Sequence, residues 1–313
     1  MLIYIRAETR PNECRTPLVP DDVARLIAAG HTCLVETSET RCFTDVQYRY
    51  AGATLVTEPW YSYTTALIIG LKELDHLDQL NGNTHLFFSH SRKGQEGGQR
   101  IIDAFANSHS LLYDMEYLTE KGKRLVSFGY YAGLVGAILG LRQHYNKEHG
   151  LPDIANLKPW ASYADILSFY RPTEPRVVIV GDGKSSKGAQ HILHTLGLNY
   201  TVRRRGDEVD LTCDILINCI ALDPSFTNVW IPTVSKQLVI VDISCDYAKE
   251  NNPLPFYKEA TTWETPVYRW NEVSLIAIDN LPSLLPRESS IEFSRQLTPL
   301  IDNYGDETWE RAL

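Results

Sequence analysis

Apolar residues in the first half of the chain come in short unbroken runs rather than in strict alternation, at residues 2–5, 33–36, 66–71, 86–89, 111–117 and 125–128. Runs of this kind predict strands covered on both faces, and hence a mostly parallel sheet. Helical periodicity fills the intervals, at 20–29 with Gly30 behind it, at 45–51 with Gly52 behind it, and at 95–107. The texture then changes. Residues 129–144, GYYAGLVGAILGLRQH, are small and apolar on several faces, which predicts a helix buried on more than one side and connecting two lobes. Residues 147–175 carry Gly150, Pro152, Pro159, Pro172 and Pro175 and read as irregular covering and linker. Strand-like runs resume at 177–180, 199–202, 215–220, 238–243 and 276–279, and Pro286 introduces a terminal helix over 289–303 that returns to the first lobe. The pattern predicts an α/β chain with one domain at 1–128 plus 285–313 and another at 129–284.

The most informative stretch is 176–205, RVVIVGDGKSSKGAQHILHTLGLNYTVRRR. A buried strand is broken by Gly181 and Gly183, a helix opens at Gly188 and closes at Gly197, and a second strand follows. Strand, glycine turn, helix and strand form a mononucleotide-binding unit, whose glycines let backbone approach a pyrophosphate at a helix N-terminus. The spacing is G-x-G-x4-G, with Ser186 where a third glycine would ordinarily fall. The plain alternative is a glycine turn that binds no nucleotide. Sites for NAD usually place Asp or Glu after the second strand, on the ribose 2′-hydroxyl. Here stand Arg203, Arg204 and Arg205, which suit a 2′-phosphate, so the residues favour NADP(H) over NAD(H). Their alternative is a solvated basic strand end.

Composition narrows the class. A length of 313 residues allows two ordinary domains, the apolar share of 43% is that of a globular protein, and no apolar run reaches membrane-spanning length. The opening LIYIRAE is strand-like, so no secretory signal is expected. Six scattered cysteines without CxxC pairs favour a reducing cytosol and give no metal spacing. A net charge of −9 argues against nucleic acid as a partner.

Polar residues at the ends of buried strands are where α/β enzymes keep their chemistry. Lys72 and Glu73 follow one run; His90, Arg92 and Lys93 follow another. Asp114 and Glu116 lie in a third, and Glu13 and Arg15 precede the first helix. A lysine, a histidine and neighbouring carboxylates can be tuned for acid–base work, and arginines beside them suit a dicarboxylate substrate. Each residue alone could equally be a strand-end charge facing water.

The strings RAETRPNECRTPLVP, IIGLKE, FFSHSRKGQ, LLYDMEYL, FGYYAG, ILINCI and IDNLPSLLPRE resemble the L-lysine-forming saccharopine dehydrogenases of the alanine dehydrogenase superfamily. The resemblance runs through nearly the whole chain in the same order and is densest from Arg6 to Gly133. It implies two Rossmann-like domains with the active site in the cleft between them. The implied reaction is reversible cleavage of saccharopine to lysine and 2-oxoglutarate. It further implies that Lys72 and His90 are an acid–base pair whose charge Glu73 and Glu116 modulate. Arg15 and Arg124 would bind substrate carboxylate, with Lys93 lining the same pocket and Asp279 near the cofactor. Three departures stand out: the arginine triplet, ending in Arg205, replaces the NAD-type acid; the glycine loop is shortened and lacks a cysteine, leaving Cys219 without a disulfide partner; and Asn280 stands where histidine is expected. The sequence thus predicts a cytoplasmic NADP(H)-dependent enzyme that joins an amino acid to a 2-oxo acid. The other readings are an opine-type relative using another amine, such as ornithine, or another oxo acid, and a nucleotide-binding regulator without catalysis. Oligomeric state is left open.

Overall fold

A strand such as LIYI or VVIV can bury every side chain only inside a sheet with helices on both faces. The computed structural model describes residues 1–92, 97–204, 206–222, 225–231 and 238–313, and contains two such sheets in two units. One unit is Met1–Ser127 with Pro286–Leu313; the other is Phe128–Leu285.

The first unit runs β1 (Leu2–Ile5), α1 (Pro20–Ala28), β2 (Thr32–Glu36), α2 (Asp45–Tyr50), β3 (Thr54–Val56), β4 (Leu67–Ile69), β5 (Thr84–Phe87), α3 (Gly98–Asn107) and β6 (Leu111–Asp114). A small antiparallel hairpin, β7 (Thr119–Glu120) and β8 (Lys123–Arg124), follows. The six-stranded sheet is parallel throughout, in the order β3-β2-β1-β4-β5-β6, with Ile5 opposite Val35 on one side and Ile69 on the other. Local sequence sets the helix ends. Pro20 opens α1 with Asp21 and Asp22 in its first turn, and Thr44 and Gln47 form a reciprocal capping box on α2.

The second unit runs α4 (Gly129–Glu148), α5 (Tyr163–Phe169), β9 (Val177–Val180), α6 (Lys184–Thr195), β10 (Tyr200–Arg203), β11 (Ile215–Asn218), β12 (Val239–Asp242), β13 (Tyr268–Trp270) and β14 (Val273–Ile276). Its sheet order is β10-β9-β11-β12-β14-β13, parallel except for β13. Alternate residues of each strand feed opposite cores. Val177, Ile179, Ile215, Ile217, Val239 and Val241 join the α4 side, whereas Val178, Val180, Leu216 and Ile240 face the other. The chain then returns to the first unit as α7 (Pro286–Asp302) and α8 (Glu307–Ala312).

Helix α4 is buried almost continuously from Gly133 to Leu141. Its glycines permit that. A Cβ on Gly133 would lie 1.7 Å from the Ser185 carbonyl oxygen, and one on Gly188 would lie 1.8 Å from that of Tyr130, so α4 and α6 meet backbone to backbone. All of α4 lies within the second unit.

The structure corrects several sequence expectations. Residues 125–128 form no strand; they pass through buried Val126 to Phe128, the N-cap of α4. The run at 111–117 stops as a strand at Asp114, whose side chain accepts the N–H of Glu116 and starts a short 3-10 turn at Met115–Tyr117. Within 147–175 the Ser162 hydroxyl caps α5. Helix α6 begins at Lys184, before Gly188, and the last parallel strand is Val273–Ile276 rather than 276–279. Beyond it Ile278 makes only an isolated bridge to Thr261.

Candidate functional site

In the first unit the strands β1, β4, β5 and β6 are neighbours and parallel, so the segments leaving their C-terminal ends share one edge of the sheet. Arg6, Glu13 and Arg15 follow β1, Lys72 and Glu73 follow β4, His90 follows β5 and Glu116 follows β6. Strand-end chemistry thus comes together through sheet order.

Glu13 and Arg15 form a buried bidentate pair, Nε to Oε1 at 2.8 Å and Nη2 to Oε2 at 2.5 Å. Burial pushes the Glu13 carboxyl up, but the Arg15 charge and hydrogen bonds, joined by the Lys72 ammonium, outweigh it and hold the group below the usual carboxylate range. The Arg15 loop is anchored by α7, where the Ser290 hydroxyl accepts the Thr16 N–H and the Ser294 hydroxyl accepts that of Val19, both at 3.0 Å. Around Lys72 the backbone is clamped from two sides. Glu8 accepts the N–H groups of Leu71 and Lys72 at 2.7 and 2.9 Å, and the Arg6 guanidinium donates to the carbonyls of Lys72 and Glu73 at 2.6 and 2.9 Å. Glu73 itself is exposed and lies 3.7 Å from Arg10.

His90 has φ of 52°, in the left-handed region that a β-carbon disfavours. Its Nδ1 is 3.8 Å from Glu116 Oε1, and the same oxygen is 3.4 Å from Arg124 Nη2. Glu116 is buried while Arg124 is half exposed. The structure therefore brings Glu13, Arg15 and Lys72 into one group, and His90, Glu116 and Arg124 into another. Lys93 lies outside the described residues. Sequence reading missed Arg6 and Glu8, because contact with the backbone of residues 71–73 leaves no pattern in the sequence.

In the second unit the turn from β9 into α6 carries the glycines. Gly181 has φ of 112°, and a Cβ there would sit 2.8 Å from the Cys219 carbonyl oxygen, so no larger residue fits. Gly183 is the N-cap of α6 without a side-chain cap, and a Cβ on it would meet nothing within 4 Å. An uncapped helix N-terminus with open space over its cap suits a nucleotide phosphate. Ser186 is buried in the helix, where its hydroxyl accepts from Gln190 at 2.9 Å. Arg203 keeps a buried Nε without a hydrogen-bond partner, whereas Arg204 pairs with Asp182 at 3.2 Å. Asp207 folds back across the Gly206 turn to accept the Arg204 N–H at 2.7 Å. Arg205 lies outside the described residues. Asp279 is exposed, and the neighbouring Asn280 accepts the Trp263 indole N–H at 3.2 Å.

Comparison with known proteins gives this arrangement its relatives. Residues 4–135 match the alanine dehydrogenase/PNT N-terminal domain, and residues 225–313 match the C-terminal domain of the same name. The saccharopine dehydrogenase [NAD(+), L-lysine-forming] of Emericella nidulans is 33% identical over 99% of this chain and 95% of its own. That of Candida glabrata is 33% identical over 99% and 94%. The chain belongs to the saccharopine dehydrogenase family. An L-alanine dehydrogenase structure superimposes with a TM-score of 0.74 over 100% of this chain and 94% of its own, at 16% identity, which shows a shared fold. All six cysteines are free. Among the described residues no group of three or more His, Cys, Asp or Glu could hold a metal, and no helix is long and apolar enough to cross a membrane.

Proposed function

We propose that this family member is an oxidoreductase that reversibly joins the amino group of a lysine-like amino acid to a 2-oxo acid such as 2-oxoglutarate, through reduction of an imine. The observation that carries the reading is the shared sheet edge of the first unit, where a lysine, a histidine, two buried carboxylates and two arginines stand in two charge-paired groups. In the reductive direction the amine attacks the oxo-acid carbonyl, the resulting carbinolamine loses water to form an iminium ion, and that carbon is reduced. Water loss needs an acid to protonate the departing hydroxyl, and amine attack needs a base for the amine proton. Lys72 and His90 divide these tasks, with Glu13 beside Lys72 and Glu116 beside His90 setting the local charge. Arg124 and Arg15 supply guanidinium charge for substrate carboxylates.

A bound nicotinamide nucleotide supplies or accepts the hydride. Gly181, Gly183 and the α6 N-terminus would hold its pyrophosphate. Arg203, Arg204 and Arg205 would face the adenosine ribose, and Asp279 would lie near the cofactor. An arginine cannot accept a hydrogen bond from a 2′-hydroxyl but can donate two to a 2′-phosphate, so the preferred nucleotide is NADP(H). The Emericella and Candida relatives carry NAD(+) in their names, and the arginine triplet is the sequence reason to expect a difference here. The test is kcat/KM with NADPH and with NADH, across lysine, ornithine and other amines paired with several 2-oxo acids. Higher kcat/KM with NADPH, narrowed or reversed by Arg205→Asp, supports the reading. A clear NADH preference in the unmodified protein would make the triplet a solvated strand end.

A further inference from the structure

Asp114 ends β6 with no exposed surface, and its two oxygens serve two different turns. Oδ1 accepts the backbone N–H of Glu116 at 2.9 Å, and Oδ2 accepts the Ser89 hydroxyl at 2.6 Å. With its proton committed to Asp114, the Ser89 oxygen accepts from Ser91 twice, from the hydroxyl at 2.8 Å and from the backbone N–H at 3.2 Å. Between these two serines stands His90 in its left-handed conformation. A buried carboxylate has a large desolvation cost, and capping a short turn needs only one of its oxygens. The second oxygen reaches across to the turn after β5, and the two turns it ties carry side chains that meet at 3.8 Å.

We propose that Asp114 is a positioning residue, which acts through Ser89 to hold His90 in register with Glu116. The inference rests on reading His90 as a proton-transfer group. Hydrogen bonding on both sides of His90, at Ser89 and Ser91, offsets the unfavourable backbone conformation and fixes the direction in which the imidazole leaves the chain. Loss of the Ser89–Asp114 bond frees the turn, and misplacement of a reacting group by about 1 Å can cost about 100-fold in rate.

The experiment compares Ser89→Ala, Ser89→Thr, Asp114→Asn and the Ser89→Ala/Asp114→Asn double variant. It measures kcat, each KM, and the imidazole carbon NMR signals of His90 in nucleotide-free protein. Asp114→Asn keeps an acceptor for the Glu116 N–H but turns an amide donor toward Ser89, whose oxygen already accepts twice. Ser89→Ala and Asp114→Asn should each lower kcat about 10–100-fold. The KM for the nucleotide should stay within about twofold, the result for a group that matters in the transition state rather than in binding. The His90 signals should broaden in both, Ser89→Thr should restore rate and signal, and the double variant should be no worse than the worse single one, because both changes break the same path. Unchanged kcat with unchanged His90 signals in Ser89→Ala, or full additivity in the double variant, would overturn the proposal. Should Asp114→Asn not fold, the Ser89→Ala and Ser89→Thr pair decides alone. If His90→Gln proves inactive while Ser89→Ala is untouched, only the positioning role falls. If His90→Gln is fully active, the acid–base reading falls with it.

Discussion

Glu13 shows how far neighbours set the chemistry of a single group. Buried, it would resist ionisation, yet Arg15 and Lys72 keep it a carboxylate, so a fixed negative charge lies beside Lys72. The two arginines should therefore respond differently to substitution. Arg15→Ala would strand a buried carboxylate, a loss of about 3–5 kcal/mol, and should appear first as a lower melting temperature. Arg124 is half exposed, and Arg124→Ala should leave the fold intact while raising KM for the oxo acid about tenfold or more, the value of a charge-assisted hydrogen bond. An unchanged KM would remove Arg124 from substrate binding. Lys72→Met and His90→Gln should each lower turnover about 10²–10⁴-fold with little change in nucleotide binding. Wild-type turnover in both would end their assignment. The positions of Lys72 and His90 just beyond buried runs were legible in the sequence, whereas Glu116 was read inside the run at 111–117, which the strand leaves at Asp114. The Arg6 and Glu8 clamp was not legible, because what matters there is contact with the backbone of residues 71–73, which no periodicity records.

At the scale of elements, buried titratable groups on the strands respond to acid in opposite directions in the two units. Asp242, at the end of β12, accepts hydrogen bonds from Asn218 at 2.9 Å, from the N–H groups of Ser244 and Cys245 at 3.1 and 3.3 Å, and from the Tyr257 hydroxyl. Burial outweighs them and pushes its carboxyl up to about 6. Unfolded, it would titrate near 3.9. Between these values the folded state keeps a proton that the unfolded state has lost, so stability falls as pH rises from about 4 to about 6, by about 3 kcal/mol at most. Asp242→Asn should abolish that slope and raise the melting temperature above pH 6, as calorimetry across pH 4–7 would show. In the first unit His85, packed edge-on against Trp60 and Phe105, is lowered by burial to about 3. Its contribution is complete above about pH 6.5 and is lost as pH falls towards 3. His85→Leu should flatten that acid limb. Most of the parallel strands were legible from their apolar runs, though β3 was not. Elements without an apolar run were not: β13 is a partly exposed antiparallel edge strand, and α8 is a six-residue helix capped by Asp306.

For the whole molecule, two α/β units, the order of the strings and the family were all readable from sequence, because doubly covered sheets leave apolar runs and the strand-end strings are long. Cofactor choice was less so: Arg204 spends its Nε on Asp182, and Asp207 caps the turn beside it, arrangements that arise from the fold of the β10 tip. The central claim is that a carbon–nitrogen double bond is reduced. The most direct measurement supplies NADPH deuterated at the transferring position of C4, with lysine and 2-oxoglutarate, and examines the product by mass spectrometry and NMR. The account predicts a secondary amine one mass unit heavier than the unlabelled product, with deuterium on the carbon that was C2 of the oxo acid, and no nucleotide oxidation when either substrate is omitted. Nucleotide binding without turnover on any amine, or an amine product free of deuterium, would contradict it.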